Sequence, residues 1–257
     1  MASVMFGAKP RKVERLDFII AGAQKSGTTA LHYFLSKHPH IALPDRQEPH
    51  FFDDEALFAR GVNYDALHIS FHPKRRWCIA GEGTPSYIYW KPAMQRIANY
   101  RGDMKLIILL RNPVDRAFAH WNMQRFKGRE PLDFLDAVKE EKNRIAEPLS
   151  LQARRFSYLD RGFYTEQLER VFKFFTREQA KIVKFEEFRN RNQETLGSIF
   201  RFLGVKPLTR IRNKDRNVVP YQRAITPAER KYLYAIFADD IAKLEQMLGW
   251  DCSDWKL

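Results

Sequence analysis

The sequence predicts an α/β fold, a three-layer α/β/α arrangement around a central parallel sheet, and three observations carry that prediction. Five short apolar runs alternate with segments of helical periodicity, the order expected of a doubly wound sheet. Most of those runs lack polar alternation, as strands covered on both faces do. The first of them runs into a glycine-bearing turn that opens a helix, the stretch "IIAGAQKSGTTALHYFL" at 19–35.

Taken in order, the first strand is expected at 16–21, followed by a helix over 28–36. A short apolar run at 41–43 and another at 77–80 read as the next two strands, with a helix at 92–100 after them. The run at 105–110 contains one of the longest apolar stretches, and the helical pattern at 114–126 follows it directly. A charge-rich surface helix is expected around 132–146, a helix at 165–175, a strand at 181–185 and a helix at 194–203. The last helix, 227–248, carries its own punctuation: Thr226 as N-cap, Pro227 at the first helical position, Glu229 to complete a capping box, and Gly249 as the stop. Before it lies the basic stretch "KPLTRIRNKDRNVVPYQR" at 206–223, with Arg210, Arg212, Lys214 and Arg216. A loop of that length is either a functional closing segment or mobile surface.

Composition limits the function classes. Hydrophobic residues make up 44% and charged residues 29% of the 257, an ordinary soluble composition, and the expectation is one domain over residues 1–257. No apolar run approaches the length of a membrane span, and the first 18 residues lack the apolar core of a secretory signal. The default location is therefore cytoplasmic. Cys78 and Cys252 offer neither a disulfide framework nor a metal knuckle. The formal net charge of +13 points to an anionic ligand or partner, or else to a solvated basic surface.

The glycine-bearing turn is where chemistry is expected. Gly22 and Gly27 have the spacing of the nucleotide-triphosphatase loop, but Thr28 stands where its lysine belongs and the lysine is Lys25. A strand that ends in such a turn presents backbone N–H groups at the positive end of a helix. Ser26, Gly27, Thr28 and Thr29 supply N–H and hydroxyl donors, and Lys25 adds a cation at the mouth. A triphosphatase also needs a carboxylate on a neighbouring strand to hold magnesium. The strand at 105–110 ends in Arg111 instead, and Asp115 falls in the first turn of the following helix, where the helix dipole explains it.

"GAQKSGTTAL", "EPHFFD", "GEGTPSYIY", "LRNPVDRAFAHW", "RGFYTEQL", "FRFLGV" and "LEQMLGWDCSDW" follow one another along nearly the whole chain. Together they resemble the sulfotransferase superfamily, most nearly the heparan sulfate sulfotransferase branch and its bacterial small-molecule relatives. The resemblance implies a P-loop-like fold and a donor, 3′-phosphoadenosine 5′-phosphosulfate (PAPS), which leaves as 3′-phosphoadenosine 5′-phosphate (PAP), with no metal required. It implies that Lys25 contacts the 5′-phosphosulfate near the oxygen bridging phosphorus and sulfur, and that Arg111 holds the 3′-phosphate. Lys214 and Arg216 look like a shortened form of the family's cofactor-closing loop. Where the family usually has a serine on the 3′-phosphate, this chain has Ala119, and His120 or Asn122 are the candidates to compensate.

By the same resemblance Glu48 is the general base of an E-x-H-F-F-D motif, and Asp53 faces the acceptor. His50 orients Glu48 or bonds the acceptor, or is a satisfied half-buried histidine; Phe51 and Phe52 anchor the loop. Glu82, at the end of the strand at 77–80, is a second carboxylate candidate. The family often has a lysine where Gly83 stands, and its absence weakens the case for a glycosaminoglycan acceptor. Tyr87, Tyr89, Trp90 and Trp121 either line a pocket for a small acceptor or belong to the core. The reaction implied is in-line transfer of a sulfuryl group to a hydroxyl or amine of a small-molecule or carbohydrate acceptor. The competing classes are a P-loop kinase or triphosphatase, a catalytically dead relative, and a basic nucleic-acid-binding protein; for the last, the sequence shows no recognition helix, aromatic platform or zinc motif. No nucleic-acid partner is expected, and the oligomeric state is left open.

Overall fold

The computed structural model describes residues 12–69, 71, 73, 75, 77–209 and 220–256. Its sheet has five strands, β1 (Phe18–Gly22), β2 (Ile41–Ala42), β3 (Ile79–Gly83), β4 (Lys105–Leu110) and β5 (Ala180–Lys184). They lie in the order β2-β3-β1-β4-β5, and every pairing is parallel. The order reverses at β1: the chain first builds β2 and β3 on one side of it, then β4 and β5 on the other. Ile20 is level with both Gly83, the last residue of β3, and Ile107 of β4, and the reversal opens a crevice at the carboxyl ends of these strands.

Ten α-helices cover the sheet and its edges: α1 (Thr28–Ser36), α2 (Glu55–Ala59), α3 (Ala93–Tyr100), α4 (Pro113–Phe126), α5 (Phe134–Arg144), α6 (Leu151–Phe156), α7 (Tyr164–Phe174), α8 (Phe185–Asn190), α9 (Asn192–Leu203) and α10 (Pro227–Leu248) among the described residues. The two-residue period of a strand divides the core. Ile19, Leu106, Ile108 and Leu110 face a cluster with Ile97 of α3, Phe118 of α4, Leu168 of α7 and Phe237 of α10. Phe18, Ile20, Ile107, Leu109 and Val183 face a second cluster with Leu31 and Leu35 of α1 and Leu196, Ile199 and Phe200 of α9. Strands apolar at every position are what two covered faces require, and the parallel α/β sheet follows the expectation.

The differences are local and have physical reasons. β3 is shifted relative to the expected 77–80, so Glu82 lies inside the strand rather than beyond it. Its glycines hide it from a search for apolar runs, and they are there because a Cβ on Gly81 would sit 2.3 Å from the Phe18 ring. α5 is a charge-rich surface helix with one buried face: Phe134, Ala137, Val138 and Glu141 are buried while Asp136, Lys139, Glu140 and Lys142 are exposed, and the Glu141 carboxylate accepts from the backbone N–H groups of Leu159 and Asp160 at 2.6 and 2.8 Å. Three helices were not expected, α2, α6 and α8, each of only five or six residues. Such lengths hold too few turns for a periodic pattern.

The last helix is capped as its sequence suggests. Glu229 N–H donates to Thr226 Oγ1 at 3.2 Å, Thr226 N–H donates to Glu229 Oε2 at 2.8 Å, and Gly249 closes the helix with φ 65°. Removing the side-chain half of the box in Thr226→Ala lowers stability by about 1 kcal/mol. Urea unfolding is expected to show a lower midpoint with an unchanged slope.

Candidate functional site

The turn after β1 is set by close packing. A Cβ on Gly22 would meet Ile88 at 2.4 Å, and one on Gly27 would meet the Phe185 ring at 2.8 Å. Lys25 and Gly27 take left-handed backbone conformations, with φ 70° and 87°, which swing the chain around so that the start of α1 faces the crevice. The first turn of α1 carries no acidic residue and no side-chain cap, and its leading N–H groups have no acceptors within the helix. Ser26 is fully buried, and its Oγ has no hydrogen-bond partner. This is a site built to receive an anion.

Two cations border it. Arg111 leaves the end of β4, donates from Nη1 to the Lys25 carbonyl at 3.3 Å, and lies over the Phe185 ring at 5.1 Å. Burial and the charges of Arg111, Lys127 and Arg116 lower the Lys25 ammonium to about 8, and the Glu48 carboxylate works against them. Neither Lys25 nor Arg111 is paired with a carboxylate of the described residues. Lys214 and Arg216 lie outside the described residues.

Glu48, His50 and Asp53 come together on the loop between β2 and α2. His50 Nε2 is 3.5 Å from Glu48 Oε2, and its Nδ1 is 3.0 Å from Asp53 Oδ2. Hydrogen bonds to Asp53 and to Glu48 outweigh burial and raise the imidazole to about 9, so at neutral pH the ring is charged and donates from both nitrogens. His50 also holds a left-handed backbone, φ 57°, a strained conformation for a residue with a Cβ. Asp53 has no exposed surface. Burial raises its carboxyl, but hydrogen bonds from His50 and Ser86 and the charge of Arg154 win and hold it at about 2. Asp53 therefore supports the loop from beneath rather than facing an acceptor.

Glu82 is also fully buried, and burial pushes it the other way, up to about 8. The Thr84 hydroxyl donates to Glu82 Oε2 at 3.0 Å and accepts from the His50 N–H at 3.3 Å, which links this carboxyl to the back of the loop. Tyr87 is buried too, its hydroxyl accepting from the N–H groups of Phe51 and Phe52 at 3.1 and 3.3 Å. It holds the loop and has no surface to offer a substrate. Trp121 is core, packed on Phe118 and Phe134. Ala119 is buried at 3% exposure. Of its two candidate substitutes, His120 packs on Tyr158 and Asn122 donates to the Pro220 carbonyl at 3.1 Å.

Two hollows open at the surface of the described residues. A small one is lined by Thr28, Thr29, His32, Gln47, Glu48, Gly83 and Pro85, which puts the start of α1 and the Glu48 loop on shared walls. The larger, about 680 Å³ with its open mouth, has Tyr89, Trp90, Leu149, Phe163 and Arg170 among its walls. The residues that sequence reasoning missed are Thr84, Ser86 and Arg154, all of which support the loop. Arg154 lies 101 positions from Asp53, and no local pattern marks it.

The pairing has a pH signature. His50 is raised from 6.5 to about 9, so the stability it contributes is complete below pH 6.5 and fades as pH rises through 9. Asp53 is depressed from 3.8 to about 2, so its contribution is present above pH 3.8 and is lost as pH falls through 2. Imidazole NMR is expected to find the His50 midpoint near 9, and Glu48→Gln to lower it by removing one of two carboxylates. A midpoint near 6.5 in the unaltered chain contradicts the pairing.

A sequence profile of the sulfotransferase domain matches residues 15–217. The Dictyostelium discoideum protein named membrane-associated sulfotransferase kil1 is 25% identical over 91% of this chain and 65% of its own length. Mouse heparan sulfate glucosamine 3-O-sulfotransferase 5 is 30% identical over 74% of this chain, which spans 53% of that relative. Among solved structures, a sulfotransferase from Alicyclobacillus acidocaldarius superposes with a TM-score of 0.74 at 32% identity, covering 95% of this chain and 99% of the other. A mouse sulfotransferase solved with PAP shares the fold, with a TM-score of 0.56 at 14% identity. No helix among the described residues is long and apolar enough to cross a membrane. A strand-to-helix turn left open for an anion, a cation in place of the metal-binding carboxylate, and a profile match over most of the length agree: this chain belongs to the sulfotransferase family.

Proposed function

We propose that the chain is a PAPS-dependent sulfotransferase that moves a sulfuryl group to a hydroxyl or amine of a small-molecule acceptor. The observation that carries this reading is the convergence of the open first turn of α1, Lys25, Arg111 and Glu48 on one crevice, with Thr28, Thr29 and Glu48 lining one hollow. The donor set fits PAPS: a buried hydroxyl without a partner and two cations without carboxylates suit a ligand anionic at both ends. A magnesium nucleotide would want a carboxylate where Arg111 stands.

When bound, PAPS supplies the sulfuryl group and a leaving group that departs as a phosphate. Ser26 and the N–H groups of Thr28 and Thr29 would hold the 5′ end, and Arg111 the 3′ end. Lys25, lowered only to about 8, is still largely an ammonium at neutral pH, and a nearby anion favours that charged form further, so it would stabilise the charge that develops on the leaving group. Glu48 takes the proton that the acceptor loses as its oxygen or nitrogen bonds to sulfur and the bond from sulfur to the bridging oxygen breaks. His50, charged, donates to Glu48 and keeps that carboxylate facing the crevice. In this reading a small acceptor occupies the larger hollow, with Tyr89 and Trp90 in its walls. Gly83, in the wall of the smaller hollow, offers no side-chain cation to a sulfated sugar. In this reading the protein works in the cytoplasm as one domain.

Calorimetry without metal is expected to show binding of PAP in preference to adenosine 5′-monophosphate, lost in Arg111→Ala. Preference for magnesium-ATP, or no nucleotide binding, overturns the reading. With PAPS, and with p-nitrophenol or glucosamine as acceptor probe, Glu48→Gln is expected to keep PAP affinity and lose about 10²–10⁴-fold in turnover. Lys25→Ala is expected to lose on the order of 10²-fold or more. Unchanged turnover in either variant removes that residue from the mechanism.

A further inference from the structure

We propose that Arg154 is a positioning residue for this reaction, acting through Asp53 to set His50 and thereby Glu48; the proposal rests on the sulfotransferase reading above. Arg154 stands on α6, an element that contributes nothing to the phosphate-binding turn. Its Nη1 donates to Asp53 Oδ2 and its Nη2 to the Asp53 carbonyl oxygen, both at 2.5 Å. Two prongs on one residue fix both the carboxylate and the backbone that carries it, a geometry available to a guanidinium and not to an ammonium.

The clamp is itself held. The guanidinium lies over the Trp90 ring at 4.2 Å, and Trp90 Nε1 donates to Glu55 Oε1 at 2.7 Å. Arg96 closes on Glu55 with two further bonds, at 2.9 and 2.7 Å. Arg154 thus ties α6 to the turn after β3 and to the start of α2, the two segments that bracket the Glu48 loop. A fully buried carboxylate is costly unless its lone pairs are filled, and Asp53 fills them with Arg154, Ser86 at 2.5 Å and His50. With Asp53 immobilised, the His50 ring has one orientation that directs Nδ1 at Asp53 and Nε2 at Glu48. That constraint also supports the strained His50 backbone. Without Arg154 the imidazolium would be the one cation left on Asp53, and the loop would lose its link to α6.

The charged groups facing His50 are Asp53 and Glu48 from its own loop and Arg154 from α6; Glu82 of β3, linked to the loop through Thr84, is kept neutral by burial. Arg154 Nη1 lies 3.4 Å from His50 Nδ1, two donors side by side, so its positive charge opposes protonation of the ring. These neighbours give the role a readout that general destabilisation does not move. In Arg154→Gln the His50 midpoint, followed by imidazole NMR, is expected to rise above that of the unaltered chain. PAP affinity by calorimetry is expected to stay within about twofold, because Arg154 touches none of the donor-binding groups. The kcat for p-nitrophenol or glucosamine is expected to fall on the order of 10²-fold, as for a catalytic group displaced by about 1 Å. Arg154→Lys keeps the charge but not the fork, and is expected to recover part of that loss while staying about tenfold or more below the unaltered protein. An unchanged or lowered His50 midpoint, a kcat within about twofold of the unaltered chain in either variant, or PAP affinity falling in step with kcat overturns the proposal. If Arg154→Gln does not fold, the kcat of Arg154→Lys decides. If the unaltered chain turns over neither probe with PAPS, the sulfotransferase reading has failed, and the His50 titration still judges the clamp.

Discussion

The placement of β1 between β3 and β4 is the constraint on which the rest of the molecule depends. The strands are all parallel, so the connections that follow them leave from the same edge of the sheet. Because the strand order turns around at β1, the connections part there and leave a crevice that no helix fills. The glycine-bearing turn follows β1, Glu82 lies in β3 with Thr84 just beyond it, and Arg111 follows β4. Three segments that are far apart in the chain therefore meet without any of them being long.

Charge is distributed across that crevice in two ways. On the β1 and β4 side, cations and open N–H groups stand without anions, and burial weakens the Lys25 ammonium. On the β3 side, each carboxylate has been assigned a state: Asp53 ionised by three donors, Glu82 kept neutral by burial with the Thr84 hydroxyl against it. Glu48 differs from both, with 43% of its side chain exposed and a charged histidine beside it. A carboxylate that is oriented yet open to a second partner is the one suited to exchange a proton. The buried pair serve to hold the loop that carries it.

The support of that loop extends well beyond its own sequence. Tyr87 ties down two of its backbone N–H groups, Thr84 a third, and Ser86 and Arg154 secure Asp53. Four of these five contacts come from the turn after β3, so the strand that places Glu82 also determines where Glu48 lies. α6 contributes the remaining contact and a wall of the larger hollow. The larger hollow and the loop bearing Glu48 thus share a structural element.

What the sequence by itself determined was whatever depends on neighbours along the chain. The strands of β1 and β4 show as unbroken apolar runs, α1 and α10 match their expected limits, and the cap at Thr226 follows from three residues within one turn. The glycine-bearing turn at Gly22–Gly27 that leads into a helix, and the cation Arg111 where a metal site would want a carboxylate, were legible for the same reason. Tertiary structure decided the rest. Asp53 and Glu82 are both carboxylates near the ends of short motifs, and only their surroundings make one charged and the other neutral. Tyr87 and Trp121 carry the residue types of a binding pocket, yet packing places both inside. Arg154 acquires a role only when α6 folds against Trp90 and brings a guanidinium to a carboxylate from a distant part of the chain. Hydrogen bonds and burial act through space, and a linear pattern records only the part of space that lies along the backbone.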